Sequence, residues 1–250
     1  MNSPTSLPAS LPAVVEDWNI GLCIVAHPDD IEYGASAAVA RWTSQGKQIN
    51  YVLITSGEAG IDGVPPEQAG PLREDEERRS AAVVGVDSVE FLGFPDGVLC
   101  YGLPLRKAIA AAIRRHRPEM VLTGNFRESF GPGMLNQRDH IATGWAVLDG
   151  VRDAANRWIF RELLDEGLEP WAGVRAVLAG GSPDPTHGVD TSDFLDKAVA
   201  SLAEHRAYLD GLGNPDFDVA EFLESFARMG GARMGTKFAA TFEVFPLGQF

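Results

Sequence analysis

Short, continuously apolar runs alternate with stretches of helical periodicity along this chain, and that alternation restricts the fold more than any other feature. Residues 21–26 (GLCIVA), 49–55 (INYVLIT), 89–92, 120–124 and 174–179 read as strands. Runs without polar alternation fit strands buried on both faces. Residues 35–45, 73–84, 103–116 and 139–155 carry helical pattern between them, the first ended by Gly46. Strands and helices in this order predict an α/β fold, a mostly parallel sheet with helices on both faces and a ligand crevice at the carboxyl ends of the strands. The segments to inspect are therefore the turns that follow strands, beginning at His27, Ser56, Gly93 and Asn125.

The rest of the chain is less regular. Residues 57–71 hold four glycines and three prolines and are expected to form a loop, as are residues 125–138. Residues 191–209 predict one long helix, with Leu195, Val199, Leu202 and Arg206 roughly a turn apart. Residues 216–229 predict another helix, and 237–245 alternate like an edge strand. The Pro- and Ser-rich residues 1–18 are expected to be a loosely ordered arm, and 19–250 a single domain.

Composition excludes some functions. A formal net charge of −14 opposes binding to a phosphate backbone, which needs a basic surface. No apolar run approaches the ~20 residues of a membrane helix, and the N-terminus has no basic segment followed by an apolar one. Two cysteines, Cys23 and Cys100, make no disulfide framework and are expected to be small core hydrophobes. These features point to a cytoplasmic protein; the oligomeric state stays open, a homo-oligomer included.

The chemistry concentrates in the turn after the first strand, Ala26-His27-Pro28-Asp29-Asp30-Ile31-Glu32. Pro28 stiffens that turn, so His27 and Asp30 can aim at one cation while Asp29 faces an adjacent water. A second contribution is expected from another strand end, where Asp139-His140 opens a helix. His27, Asp30 and His140 make a two-His, one-carboxylate set that leaves positions for water and substrate, the pattern of a catalytic zinc site. Asp29 is then the general base, and Asp139 is placed to orient His140 by a hydrogen bond. Each element has a plainer reading: the paired aspartates as a helix cap, His140 as an ordinary first-turn histidine. It is the joint pattern on one sheet edge that favours a metal.

The stretch from Ala26 to Gly60, with its AHPDD and its TSGEAG, resembles the zinc-dependent N-deacetylases of the PIG-L/LmbE-like family. Arg73-Glu74-Asp75-Glu76, Leu92-Gly93-Phe94-Pro95-Asp96-Gly97 and Asp139-His140 are similar to that family's R-x-x-E, LGxxDG and the end of its HPDH. The likeness is dense over residues 21–149 and thin afterwards. It implies a Rossmann-like fold, one Zn2+ held by His27, Asp30 and His140, Asp29 as base, and Arg73 and Asp96 at the substrate. The implied substrate is a small N-acetylated sugar of N-acetylglucosaminyl type, and the implied reaction is hydrolysis of its amide. Two positions depart from the pattern. Ile31 replaces the Glu of AHPDDE, with Glu32 one place on, and Gln137 replaces the first His of HPDH. Gln137 can donate a hydrogen bond to an oxyanion but cannot shuttle a proton. Either Asp29 performs both proton transfers, or His187 or His205 enters the site. Otherwise the enzyme is slow on ordinary substrates.

Three readings compete with an N-acetyl-sugar deacetylase. One is an amidase of the same mechanism on a thiol-sugar conjugate, a lipid-linked sugar or an antibiotic intermediate. Another is a relative that binds sugar without turnover, which Gln137 alone favours. The last, a nucleotide-binding α/β protein, lacks a GxGxxG after the first strand. His116 is expected at a solvated helix end, His205 on an apolar stripe, and His187 in a loop.

Overall fold

A computed structural model describes residues 10–247. The chain runs β1 (Ile20–Val25), α1 (Ser36–Ser44), β2 (Gln48–Leu53), α2 (Pro66–Val83), β3 (Ser88–Phe91), α3 (Leu103–His116) and β4 (Met120–Gly124). A hairpin of β5 (Ser129–Gly131) and β6 (Met134–Leu135) follows, then α4 (Arg138–Ala155) and the one-turn α5 (Glu162–Asp165). The chain ends with β7 (Ala176–Gly180), β8 (His187–Asp190), α6 (Leu195–Leu202), α7 (Arg206–Gly211), α8 (Val219–Met234) and β9 (Ala239–Pro246).

The main sheet has seven strands in the order β3-β2-β1-β4-β7-β9-β8. The first five are mutually parallel, and β9 runs antiparallel between β7 and β8. Strand β1 shows why the sheet needs helices on both faces. Its Cys23 and Val25 join one core with Trp42, Tyr51 and Phe242, while Leu22 and Ile24 join the other with Ile109, Ile113 and Val147. Successive residues point to opposite faces of a strand, and all four are buried to within 1%. Burying one such side chain contributes about 1.5–3 kcal/mol. Strand order reverses between β1 and β4, since β1 leads out to β2 on one side while β4 and β7 lie on the other. Open α/β sheets form their ligand crevice at such a point.

Several expectations are corrected. Residues 10–18, expected in the loose arm, are packed: Leu11, Val14 and Trp18 are buried, Leu11 N–H bonds Arg233 O, and Trp18 meets Trp42 edge to face at 5.2 Å. Residues 1–9 of that arm lie outside the described residues. The single helix expected over 191–209 is broken into α6 and α7 with His205 at the junction. The expected edge strand, β9, lies inside the sheet. Part of the expected loop 57–71 is the first turns of α2, entered at Pro66, where a missing N–H costs nothing. Cys100 is exposed rather than in a core, and His187 is the first residue of β8 rather than a loop residue. No helix among the described residues is long and apolar enough to cross a membrane.

Candidate metal centre and active site

The turn after β1 delivers His27 and Asp30, and the first turn of α4, after β4, delivers His140. Their polar atoms converge. His27 Nδ1 lies 3.2 Å from His140 Nε2 and 3.7 Å from Asp30 Oδ2, and His140 Nε2 lies 3.0 Å from Asp30 Oδ1. Asp30 Oδ2 also accepts from the backbone N–H of His27 at 2.9 Å, which fixes the turn.

The other nitrogen of each imidazole is already committed. His27 Nε2 is 3.0 Å from Asp96 Oδ1 and 3.4 Å from Asp139 Oδ2, and His140 Nδ1 is 2.8 Å from Asn136 Oδ1. Carboxylate and amide oxygens only accept, so the protons sit on His27 Nε2 and His140 Nδ1. The remaining nitrogens, His27 Nδ1 and His140 Nε2, face each other and Asp30 and can offer lone pairs to a cation that displaces their protons. That donor set, two imidazole nitrogens and a carboxylate, suits a divalent cation such as zinc. The electrostatics agree. Burial opposes charge on His27, yet Asp139, Asp30 and Asp96 push its imidazole up to about 12. Burial likewise raises Asp30, but His140 and His27 hold its carboxyl well below the usual range. The site thus demands positive charge.

His27, Asp96 and Asp139 also lie within ligand reach of one another. These carboxylates are occupied otherwise. Asp96 Oδ2 accepts from Ala59 N–H at 2.9 Å, and the two oxygens of Asp139 accept from Gly97 and Leu99 N–H at 2.8 and 3.1 Å. Their role is to hold His27. This corrects the expectation that Asp139 orients His140: adjacent helical residues point about 100° apart, so Asp139 turns to His27 while Asn136 holds His140. Glu58 Oε1 in turn accepts from Asp96 N–H at 2.9 Å.

Asp29 is the candidate base. It is buried, with φ at 96°, and its Oδ2 has no hydrogen-bond partner although Arg73 Nη2 approaches to 3.3 Å. Burial raises its pKa to about 7 against the opposing pull of Arg73. Arg73 and Asp96, expected at the substrate, are sunk beneath the turn, their side chains 3% and 7% exposed. Arg73 stacks under Tyr208 at 4.1 Å and donates to Gly57 O and Pro28 O. Gln137 is the exposed N-cap of α4, and its side chain makes no capping bond.

Below Asp29, the fully buried Glu32, Glu77 and His205 meet. His205 Nε2 lies 3.6 Å from Glu77 Oε2 and 3.8 Å from Glu32 Oε2, and Ser80 Oγ donates to Glu32 Oε1 at 2.7 Å. Burial pushes the Glu77 carboxyl well above its ordinary range and drops His205 to about 3. Sealed there, His205 cannot reach a substrate. His187 stands on β8, separated from β4 by β7 and β9, with Thr186 Oγ1 at 3.0 Å. Asn136 and Glu77 were invisible to sequence reasoning, because neither belongs to a motif and both act through contacts made only on folding.

Comparison with known proteins gives the family and the fold. Residues 22–151 match the PIG-L family, described as GlcNAc-PI de-N-acetylase. The diacetylchitobiose deacetylase of Thermococcus kodakarensis is 31% identical over 209 residues, 83% of this chain and 74% of its own length. A 1D-myo-inositol 2-acetamido-2-deoxy-alpha-D-glucopyranoside deacetylase of Geodermatophilus obscurus is 28% identical over 234 residues, covering 75% of this chain and 77% of that one. Among solved structures, the N,N'-diacetylchitobiose deacetylase from Pyrococcus horikoshii aligns with a TM-score of 0.82 over 92% of this chain and 85% of that chain, at 24% identity, a likeness of fold.

Proposed function

Because the chain belongs to the PIG-L family, whose named relatives are deacetylases acting on C–N bonds other than peptide bonds, we propose that it removes the N-acetyl group from an N-acetylglucosaminyl conjugate with the help of one bound Zn2+. The observation that carries this reading is the convergence of His27 Nδ1, His140 Nε2 and Asp30 beside a buried carboxylate, Asp29, whose Oδ2 has no hydrogen-bond partner.

His27, Asp30 and His140 would hold the cation, which when bound would supply a water of lowered pKa and Lewis-acid polarisation of the amide carbonyl. Asp29 takes the proton of the attacking water. The amine leaving group needs a proton in return, and neither His205 nor His187 is in a position to give one. Asp29 therefore carries out both transfers, and a pKa near 7 suits a group that must accept and then release a proton. Gln137 contributes at most a hydrogen bond to the oxyanion. The products are acetate and a free amino sugar.

Metal analysis of the purified protein, paired with a free-amine assay over a panel of N-acetylated sugars, tests the reading. One equivalent of zinc and amine release are expected. A chain that binds no divalent metal, or releases no amine from any panel member, contradicts it. Gln137→His is expected to raise turnover on N-acetylglucosamine; unchanged kinetics would mean that position 137 does not face the leaving group. A second reading, an amidase on a conjugate bearing an apolar group, is favoured by the hairpin beside His140. Phe130 lies edge-on to the His140 ring at 6.1 Å, and Phe130, Met134 and Leu135 are all exposed. Release of acetate against release of a larger acyl group separates the two.

A further inference from the structure

Helix α2 carries Arg73 and Glu77 four residues apart, hence on one face. Both side chains are buried against the turn after β1. Arg73 Nη2 donates to Pro28 O at 2.5 Å, and Glu77 Oε2 accepts from Asp29 N–H at 3.2 Å. Pro28 C=O and Asp29 N–H are the two ends of a single peptide group. One helix face thus grips that peptide plane at both poles, a donor on its oxygen and an acceptor on its hydrogen.

The peptide so held immediately precedes a strained residue. Among the described residues only Asp29, Arg117 and Phe160 hold a positive φ without being glycine. A residue with a Cβ stays in that region only where its surroundings over-determine it. Asp tolerates it better than most, but here the conformation also decides where the carboxylate points.

We propose that Glu77 is a positioning residue for the base: with Arg73 it clamps the Pro28–Asp29 peptide and so holds Asp29 in its left-handed conformation, carboxylate towards the metal site. The proposal rests on the assignment of Asp29 as general base. It accounts for a feature that packing alone does not. An interior helix position is normally apolar, yet residue 77 is a fully buried carboxyl. Among the described residues no Lys or Arg lies within salt-bridge distance of it, and the His205 ring at 3.6 Å is held neutral by burial. A buried polar group is retained where it makes a hydrogen bond that the structure needs, and the bond Glu77 makes is the one to Asp29 N–H. His205 and Glu32 lie beside the carboxyl, His205 Nε2 at 3.6 Å, without a hydrogen bond to it.

The test compares Glu77→Leu, Glu77→Gln and Asp29→Asn, using N,N'-diacetylchitobiose as substrate, zinc content as a control and a crystal structure of each variant. A misplaced catalytic group costs on the order of 100-fold in rate. Glu77→Leu is expected to lose about that much in kcat, with KM within about threefold and zinc still at one equivalent; residue 29 should leave the left-handed region. Glu77→Gln, whose amide oxygen still accepts from Asp29 N–H, should recover kcat to within about tenfold. If Glu77→Leu fails to fold, Glu77→Asp, which withdraws the carboxylate by one methylene, should show the same loss. Unchanged kcat in Glu77→Leu or Glu77→Asp, or residue 29 unmoved in its crystal structure, overturns the clamp. Asp29→Asn separates this from failure of the underlying reading. An inactive Asp29→Asn beside an active Glu77→Leu sinks the clamp alone, whereas an active Asp29→Asn removes the base and the clamp's purpose together.

Discussion

At His140, the bond from Nδ1–H to Asn136 Oδ1 determines which nitrogen carries the lone pair. Asn136 is itself pinned, its Nδ2 donating to Asn125 O at 2.7 Å and Arg127 O at 2.9 Å. Asn136→Ala should therefore leave the fold intact and weaken metal binding by roughly 10–100-fold, the usual cost of losing a partner behind a ligand; competition with a chelator measures it. Asp29→Asn should keep the metal and lose about 10²–10⁴ in kcat, while His140→Ala should lose the metal. The base must be ionised to act, so activity rises with pH through its pKa. Burial lifts Asp29 to about 7 and Arg73 pulls it down; a bound cation pulls it further. The acid limb of kcat/KM is thus expected below pH 7, and a limb above 7 would assign the base elsewhere. Of these groups His27, Asp29 and Asp30 were legible in the sequence because a stiff turn places them within four residues, and His140 because it opens a helix after another strand. Asn136 and Glu77 were not, since their partners are backbone or ring atoms brought near only by folding.

Elements were legible where local pattern and tertiary demand coincide. The apolar runs that became β1, β2, β4 and β7 left almost no polar face to expose, so only a doubly covered sheet could use them. Pattern failed where burial of a few polar groups took over. The periodicity of Leu195, Val199 and Leu202 continues past 203, but His205 faces Glu32 and Glu77 at the end of α6, and Ala207 N–H bonds Glu76 at 2.7 Å in the next helix. No breaker residue announces that junction. Helix α4 offers a test of how element packing supports the site. A Cβ on Gly144 would stand 2.3 Å from Phe126, on the segment that leads to Asn136. Helix propensity alone would make Gly144→Ala stabilising by up to ~1 kcal/mol. Overpacking against an aromatic ring costs about 1–3 kcal/mol, so the substitution is expected to lower Tm and to weaken metal binding with it. A raised Tm at unchanged affinity would show that α4 and the loop adjust independently.

For the whole molecule, metal and protons compete for the same imidazoles, and this gives stability a pH dependence that differs with and without metal. In the metal-free protein the His27 pKa stands raised from 6.5 to about 12. A raised folded pKa means that its contribution is complete below 6.5 and is lost as pH climbs towards 12. His140 is raised too, burial being outweighed by Asp30. Cation binding has the opposite sign, since both ligating nitrogens must be free of protons and affinity grows with pH. At a zinc concentration 100 times Kd the folded state gains about 2.7 kcal/mol, worth roughly 5–10 °C in Tm for a chain of this size. The gap between Tm with zinc and Tm with chelator should therefore widen steadily from pH 6 to pH 9. Solvated ion pairs such as Arg115 with Glu90 contribute equally to both forms and cancel from the difference. Scanning calorimetry at each pH decides the matter: a gap that narrows as pH rises cannot come from a cation held by His27 and His140.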